Sequence, residues 1–193
     1  GKSTLGRAVI RLIEPTGGSI HFAGQDITHL SPAALAPFRR NLQMIFQDPM
    51  SSLNPRHRIG AIISGPLRVN GAENAEAQAL DALDRVYLGR DFANRYPHQL
   101  SGGQRQRVGI ARAIALSPRF ILCDEIVSGL DVSTQAQIMV LLDELVRDLN
   151  LTMAFISHDL SVIRRICSKV VVMRTGEIVE QGDTAQVFDT PAH

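Results

Sequence analysis

Short apolar runs bounded by turn residues punctuate this chain of 193 residues. Leu42-Gln43-Met44-Ile45, Phe120-Ile121-Leu122-Cys123, Leu151 to Ser157 and Lys169 to Met173 read as strands, and the runs starting at Phe120 and Leu151 read as buried ones. Gln135 to Leu149 has a different period. Ile138, Leu141, Leu142, Leu145 and Leu149 fall on one stripe there, which predicts an amphipathic helix whose apolar face covers a sheet. Residues from Pro49 to Leu100 are richer in helix formers, with Ala79, Leu83 and Val86 on one face, and predict a helical subdomain. Gly18 to Ala23 predicts an early strand and Gly24-Gln25-Asp26-Ile27 a turn leaving it. Thr175-Gly176 predicts a turn into Glu177-Ile178-Val179-Glu180, closing a hairpin. There is no internal repeat and no low-complexity tract.

The richest local pattern is Leu100-Ser101-Gly102-Gly103-Gln104-Arg105-Gln106-Arg107, a polar double-glycine turn running straight into a helix. The first N–H groups of a helix have no intrahelical partner, so such a start is suited to an anion, and a phosphate is the expected guest. Ser101 is placed to cap the helix, and Val108, Ala111 and Ile114 to anchor it in a core. An ordinary serine-capped helix start would need no ligand.

Gly1-Lys2-Ser3-Thr4 matches the end of the phosphate-loop pattern G-x-x-x-x-G-K-[ST], without its beginning. Of 20 Lys and Arg only Lys2 and Lys169 are lysines, so an ammonium at position 2 stands out against the composition. It can reach β- and γ-phosphate oxygens as a point charge, while Ser3 supplies a hydroxyl for Mg²⁺ and Thr4 adds donors. The strand at Phe120 ends in Asp124-Glu125, at the kind of strand end where open α/β sheets bind ligands. Asp124 is suited to hold Mg²⁺, and Glu125 to orient or deprotonate a water attacking the γ-phosphate.

Taken together, LSGGQRQR, the GKST remnant and the Asp-Glu strand end resemble the ATP-binding cassette (ABC) ATPases, with the motifs in the family's order along nearly the whole chain. The resemblance implies an α/β fold of the P-loop NTPase (RecA-like) type. A mostly parallel sheet would be flanked by helices, with 1–48 and 105–193 as the core and 49–104 as an inserted helical subdomain carrying the signature. It implies ATP and Mg²⁺ as cofactors, Gly1, Lys2, Ser3 and Thr4 on the phosphates, and Ser101, Gly102, Gly103 and Gln104 on the γ-phosphate of ATP held by a second cassette. Glu125 would be the catalytic carboxylate, His158 the switch histidine on the γ-phosphate, and Asp131 a D-loop residue crossing the dimer interface. Gln47, at the loop signals Asp48-Pro49 and Asn54-Pro55, resembles the Q-loop glutamine that reaches Mg²⁺ and the attacking water. Ser3, Gln47 and Asp124 form the expected metal set.

Phe46-Gln47-Asp48-Pro49-Met50-Ser51-Ser52-Leu53-Asn54-Pro55-Arg56 and Tyr96-Pro97-His98-Gln99 are similar to the dipeptide and oligopeptide importer branch. That implies an ATP-hydrolysing subunit powering import through a membrane permease that docks at the Q-loop region, a second identical or paralogous cassette, and an indirect link to a substrate-binding protein. Met50 and Leu53, apolar in a turn-rich loop, are candidates for the docking surface, unless they pack inward. A non-transport ABC ATPase and a hydrolysis-deficient interaction module remain as alternatives, although the fifty residues before the signature lack the heptads of a coiled-coil insert.

Two departures from the family pattern stand out. Ile126 occupies the position after the glutamate where the family commonly has proline, restoring a backbone N–H and freeing φ, so Glu125 is expected to be held less rigidly. The resemblance also implies an upstream strand, an adenine-stacking aromatic residue and the opening glycines of the phosphate loop, none of which this sequence contains. The expectation is an N-terminally truncated cassette that binds ATP poorly by itself.

Composition narrows the partners. The sequence is 45% hydrophobic with a net charge of +1, enough to bury a core and too balanced for a broad nucleic-acid-binding patch. No apolar run is long enough to span a bilayer, and no signal peptide is evident, so the expected location is cytoplasmic, peripheral on the membrane. Cys123 and Cys167 suit a reducing compartment and suggest neither a zinc site nor a disulfide.

Overall fold

The computed structural model describes residues 1–192, with Pro49 and Met50 described only as backbone. In chain order the helices are α1 (Lys2–Val9), α2 (Pro32–Arg39), α3 (Pro49–Ser52), α4 (Ile59–Val69), α5 (Ala75–Arg85), α6 (Gly102–Ile114), α7 (Val132–Asp148), α8 (Leu160–Ile166) and α9 (Thr184–Asp189). The strands are β1 (His21–Phe22), β2 (Gln25–Asp26), β3 (Leu42–Ile45), β4 (Phe120–Asp124), β5 (Thr152–Ile156), β6 (Lys169–Arg174) and β7 (Glu177–Asp183). Two compact units result, one made of Gly1–Ala36 with Phe155–His193, the other of Pro37–Ala154.

The first unit contains α1, two hairpins and the helices α8 and α9. In the β6/β7 hairpin, Arg174 pairs with Glu177 across Thr175 and Gly176. Both loop residues have positive φ, 52° and 96°, the geometry that matches the twist of the flanking strands. The expected hairpin is therefore present, with β7 running on to Asp183. The β1/β2 hairpin corrects the expectation at Gly18 to Ala23. Only His21–Phe22 is strand, Gln25–Asp26 pairs back onto it, and the turn is Ala23-Gly24, again with positive φ at both positions. Just past α1, Arg11 is buried and donates from Nε to the Ile27 carbonyl at 3.0 Å and from Nη2 to the Leu30 carbonyl at 3.1 Å. Those bonds tie the end of α1 to the chain that leaves the first hairpin.

The second unit carries the parallel pairing. β3 and β4 run in parallel with Leu42 opposite Phe120 and Ile45 opposite Cys123, and the strand order is β3-β4-β5. Ile121, Leu122, Cys123 and Asp124 of β4 are all buried, as its unbroken apolar run predicts. β5 departs from the expectation. Thr152 is exposed and Met153 to Ile156 are only half-buried, whereas β3, the other edge of the order, buries Leu42, Met44 and Ile45.

Between β3 and β4 the chain makes α3 to α6. Ile62, Ile63 and Leu67 of α4, Ala79, Ala82 and Leu83 of α5, and Val108 and Ile110 of α6 are buried, and these three helices pack on one another. The small alanines let α5 approach closely. α7 buries Ile138, Leu141, Leu142 and Leu145 as its stripe predicts, and packs on α6. Leu149 is its half-buried C-cap. Helix α8 ends at its C-cap Cys167, where a helix end is expected, whereas α9 is not anticipated by the sequence pattern. Asp159 caps α8 by accepting from the Ser161 N–H at 2.9 Å, a short-range device that a seven-residue helix needs more than a long one.

Candidate nucleotide site

In the second unit, the register of β3 against β4 pairs residues 78 apart, and continuing it two steps past Ile45 brings position 47 opposite position 125. The side chains meet there. Gln47 donates from Nε2 to Oε2 of Glu125 at 3.0 Å. Asp124, one residue earlier, is 2% exposed, so a buried carboxylate and an accessible one stand in succession at the end of one strand. Glu125 itself sits at φ 49°, a conformation unusual for a non-glycine residue. Its carbonyl accepts from the Ser128 N–H at 3.1 Å, and the next residue, Ile126, is 1% exposed. The isoleucine thus anchors the turn in the core, and the left-handed backbone aims the carboxylate out of the strand direction.

The helix start at Ser101 is a full capping box. Ser101 Oγ accepts from the Gln104 N–H at 3.3 Å, and Gln104 Oε1 accepts from the Ser101 N–H at 2.9 Å. The Gln104 side chain thereby closes the start of the helix. The N–H groups of Gly102 and Gly103 lie in the first turn of α6, where no preceding helical carbonyl exists to receive them. Gly102, Arg105 and Gln106 line a cleft of about 360 Å³ together with Gln47, Asp48, Ser128, Gly129 and Leu130. Gln47, the start of α6 and the segment before Asp131 therefore face one hollow of the second unit.

Asp131 N-caps α7. Its Oδ1 accepts from the Thr134 N–H at 2.9 Å and its Oδ2 from the Thr134 hydroxyl at 2.7 Å, and these bonds hold its carboxyl below the usual carboxylate range. Thr134 has a second role that sequence reading missed. A Cβ built on Gly103 would stand 2.5 Å from Thr134 Cγ2, so the second signature glycine is required by close approach to the helix that the D-loop caps. The pattern Asp131-x-x-Thr134 was the available signal.

In the first unit, Gly1 is the N-cap of α1 and Lys2 its first residue. The Lys2 ammonium donates to the Ser157 carbonyl at 3.3 Å, which brings the lysine to the residue next to His158. His158 is exposed, and Ser3 is half-buried and Thr4 exposed on the first turn of α1. A Cβ on Gly1 would lie 3.4 Å from Gly176 Cα, so the β6/β7 turn rests against the helix start. The first unit thus gathers Gly1, Lys2, Ser3, Thr4 and His158, while the second gathers Gln47, Asp124, Glu125, Ser101 to Gln104 and Asp131.

The donors anticipated for Mg²⁺ divide between the units, Ser3 in the first and Gln47 and Asp124 in the second, and each is of a type that suits the ion. Ser3 offers a hydroxyl, Gln47 an amide oxygen and Asp124 a carboxylate, all hard oxygen ligands. Among the described residues no group of three or more His, Cys, Asp or Glu clusters as a metal site.

One docking expectation is corrected. Leu53 is 2% exposed and packs inward, because Ser52 ends α3, which lies against α6; the Met50 side chain lies outside the described residues. Cys123 is buried in β4 and Cys167 is the half-buried C-cap of α8, with its thiol pushed up by burial. Among the described residues no helix is long and apolar enough to cross a membrane.

Known proteins converge on the same reading. The ABC transporter family model matches residues 1–128. The glutathione import ATP-binding protein GsiA of Shigella flexneri is 52% identical over 196 aligned residues, covering 100% of this chain and 32% of that protein. GsiA of Escherichia coli strain K12 shows the same figures. The chain thus spans about a third of the length of these relatives. Among solved structures, the ATP-binding cassette MJ0796, a dimer in a post-hydrolysis state bound to ADP and Pi, matches with a TM-score of 0.84 at 32% identity over 95% of this chain and 81% of that one. CbiO1 from Clostridium perfringens, part of the ABC transporter complex CbiONQ, matches with a TM-score of 0.86 at 28% identity over 98% of this chain and 75% of that one. On the motif geometry, the family match and the shared fold, this chain belongs to the ABC transporter family and has the α/β fold of its ATP-binding cassettes.

Proposed function

We propose that the chain is the ATP-hydrolysing cassette of an importer for peptide-like solutes. The observation that carries the hydrolytic part is the Gln47–Glu125 hydrogen bond at 3.0 Å, which joins a water-positioning amide and a candidate base at the ends of paired parallel strands. Identity to GsiA across the whole of this chain supports the import part and favours glutathione or a short peptide as cargo.

In this reading Lys2 and the N–H groups at the start of α1 bind β- and γ-phosphate oxygens, with the ammonium exchanging the Ser157 carbonyl for the nucleotide. Ser3 of the first unit and Gln47 and Asp124 of the second would each offer magnesium a hard oxygen donor, and the ion would supply charge neutralisation at the phosphates. Glu125 takes the proton of the water that attacks the γ-phosphorus in line, and the bond to ADP breaks. His158 donates to the γ-phosphate and orders the water. Ser101 keeps its hydroxyl hydrogen available while its oxygen caps α6, so it can donate to a γ-phosphate alongside the Gly102 and Gly103 N–H groups and Gln104. That phosphate belongs to a second cassette, and Asp131 lies at the interface with it. Positioning and charge stabilisation supply most of the acceleration, and the general base about 10²–10⁴-fold.

We also propose that 49–104 acts as a helical subdomain that receives a membrane permease near the Q-loop, which would place the protein at the cytoplasmic face of the membrane, served indirectly by a substrate-binding protein. The test is ATP-driven uptake of glutathione or a dipeptide into vesicles carrying the full transporter. Uptake that is lost with Lys2→Ala supports the reading; uptake that persists without hydrolysis overturns it.

A further inference from the structure

The signature helix α6 carries three arginines whose guanidinium groups turn to main-chain carbonyls. Arg105 donates to the Leu100 carbonyl at the helix's own start. Arg107 donates to the carbonyl of Val86, the C-cap of α5, at 2.9 Å. Arg112 donates from Nη1 to the carbonyl of Ser52, the last residue of α3, at 2.5 Å. The carbonyls that end a helix lack intrahelical donors and carry the negative end of its dipole, so a cation is the favoured partner.

Arg112 differs from the other two in what it holds. Its bond reaches across 60 residues of sequence to the short segment that leaves Gln47 and ends in α3. The guanidinium is half-buried, with its pKa drawn down by desolvation, and Leu53 beside the accepting carbonyl is fully packed. A part-buried charge-assisted bond of this kind resists sliding, because breaking it leaves a partly desolvated cation and carbonyl without each other.

We infer that Arg112 is a positioning residue that fastens the Gln47 segment to the signature helix, so that the two respond to a nucleotide as one piece. It touches no reacting atom and acts through Gln47, which lies five residues before the carbonyl it grips. The inference rests on the hydrolytic reading above only for its kinetic consequence; the tether itself is a property of the fold.

The experiment compares Arg112→Met and Arg112→Lys with the parent in the full chain, measuring kcat and KM for ATP, thermal melting, and amide hydrogen exchange over 47–53. Arg112→Met should lower kcat about tenfold through misplacement of Gln47, leave KM within about twofold, and speed exchange at Ser51 to Leu53. Arg112→Lys keeps a donor on a long stem and should recover a substantial part of both. A Met variant whose kcat and exchange match the parent overturns the inference, as does a loss of kcat that only follows the unfolded fraction in the melt. Should the parent show no ATPase activity, the hydrolytic reading falls, and exchange over 47–53 alone then decides the tether.

Discussion

The Gln47 amide lies 3.0 Å from the Glu125 carboxylate, at the point where the parallel register of β3 and β4 runs out. The amide nitrogen thus donates to one oxygen of the candidate base. Replacing Gln47 by Ala removes both that donor and a proposed metal ligand. The expected result is a fall in kcat of about 10²-fold with nucleotide affinity changed far less, checked by steady-state phosphate release and by equilibrium nucleotide binding.

The signature glycine at 103 is constrained by its neighbour rather than by φ. Gly103→Ala puts a methyl into Thr134 Cγ2 and should cost about 1–3 kcal/mol by overpacking, read by chemical denaturation. Thr134→Ser removes the offending methyl and keeps the hydroxyl that Asp131 accepts. The double variant should therefore be more stable than Gly103→Ala alone; equal stability would show that the clash is relieved elsewhere.

The capping box makes a separate prediction. Ser101→Ala deletes the acceptor for the Gln104 N–H and should destabilise the protein by about 1 kcal/mol. Ser101→Thr should retain most of the stability, so a melt of the two variants side by side separates capping from any loss of phosphate binding.

Asp131 gives a pH signature. Its carboxyl is held below the usual 3.8, first by the Thr134 N–H and then by the Thr134 hydroxyl. A depressed native pKa means that its stabilising effect is present above the unfolded value and is lost as pH falls through the native one. The stability gap between the parent and Asp131→Asn should be full at pH 6 and shrink below about pH 4, as followed by melting across that range. A gap independent of pH would remove the carboxylate from the account.

Much of this architecture was legible because local and long-range signals agreed. The unbroken apolar run of β4, the i, i+3, i+4 stripe of α7 and the Thr175-Gly176 turn each produced the element they predict. The Gln47–Glu125 meeting was legible only as a motif order, since a register of 78 residues is set by the folding of the whole stretch between. Leu53 misled because an apolar residue in a polar loop has no periodicity to say which way it faces; α6, on which the preceding α3 packs, lies far along the chain. β5 misled because an apolar run does not reveal what will pack over the strand, and of the two edge strands β3 is covered and β5 is not. Thr134 and Arg112 were missed for the same reason, each acting through a partner that only tertiary packing supplies.

The central claim is that Glu125 performs the chemistry of ATP hydrolysis, and single-turnover phosphate release by the full chain carrying Glu125→Gln tests it most directly. The account predicts release at least about 10²-fold slower than the parent with ATP still bound and two cassettes held together. Release at the parent's rate would contradict it.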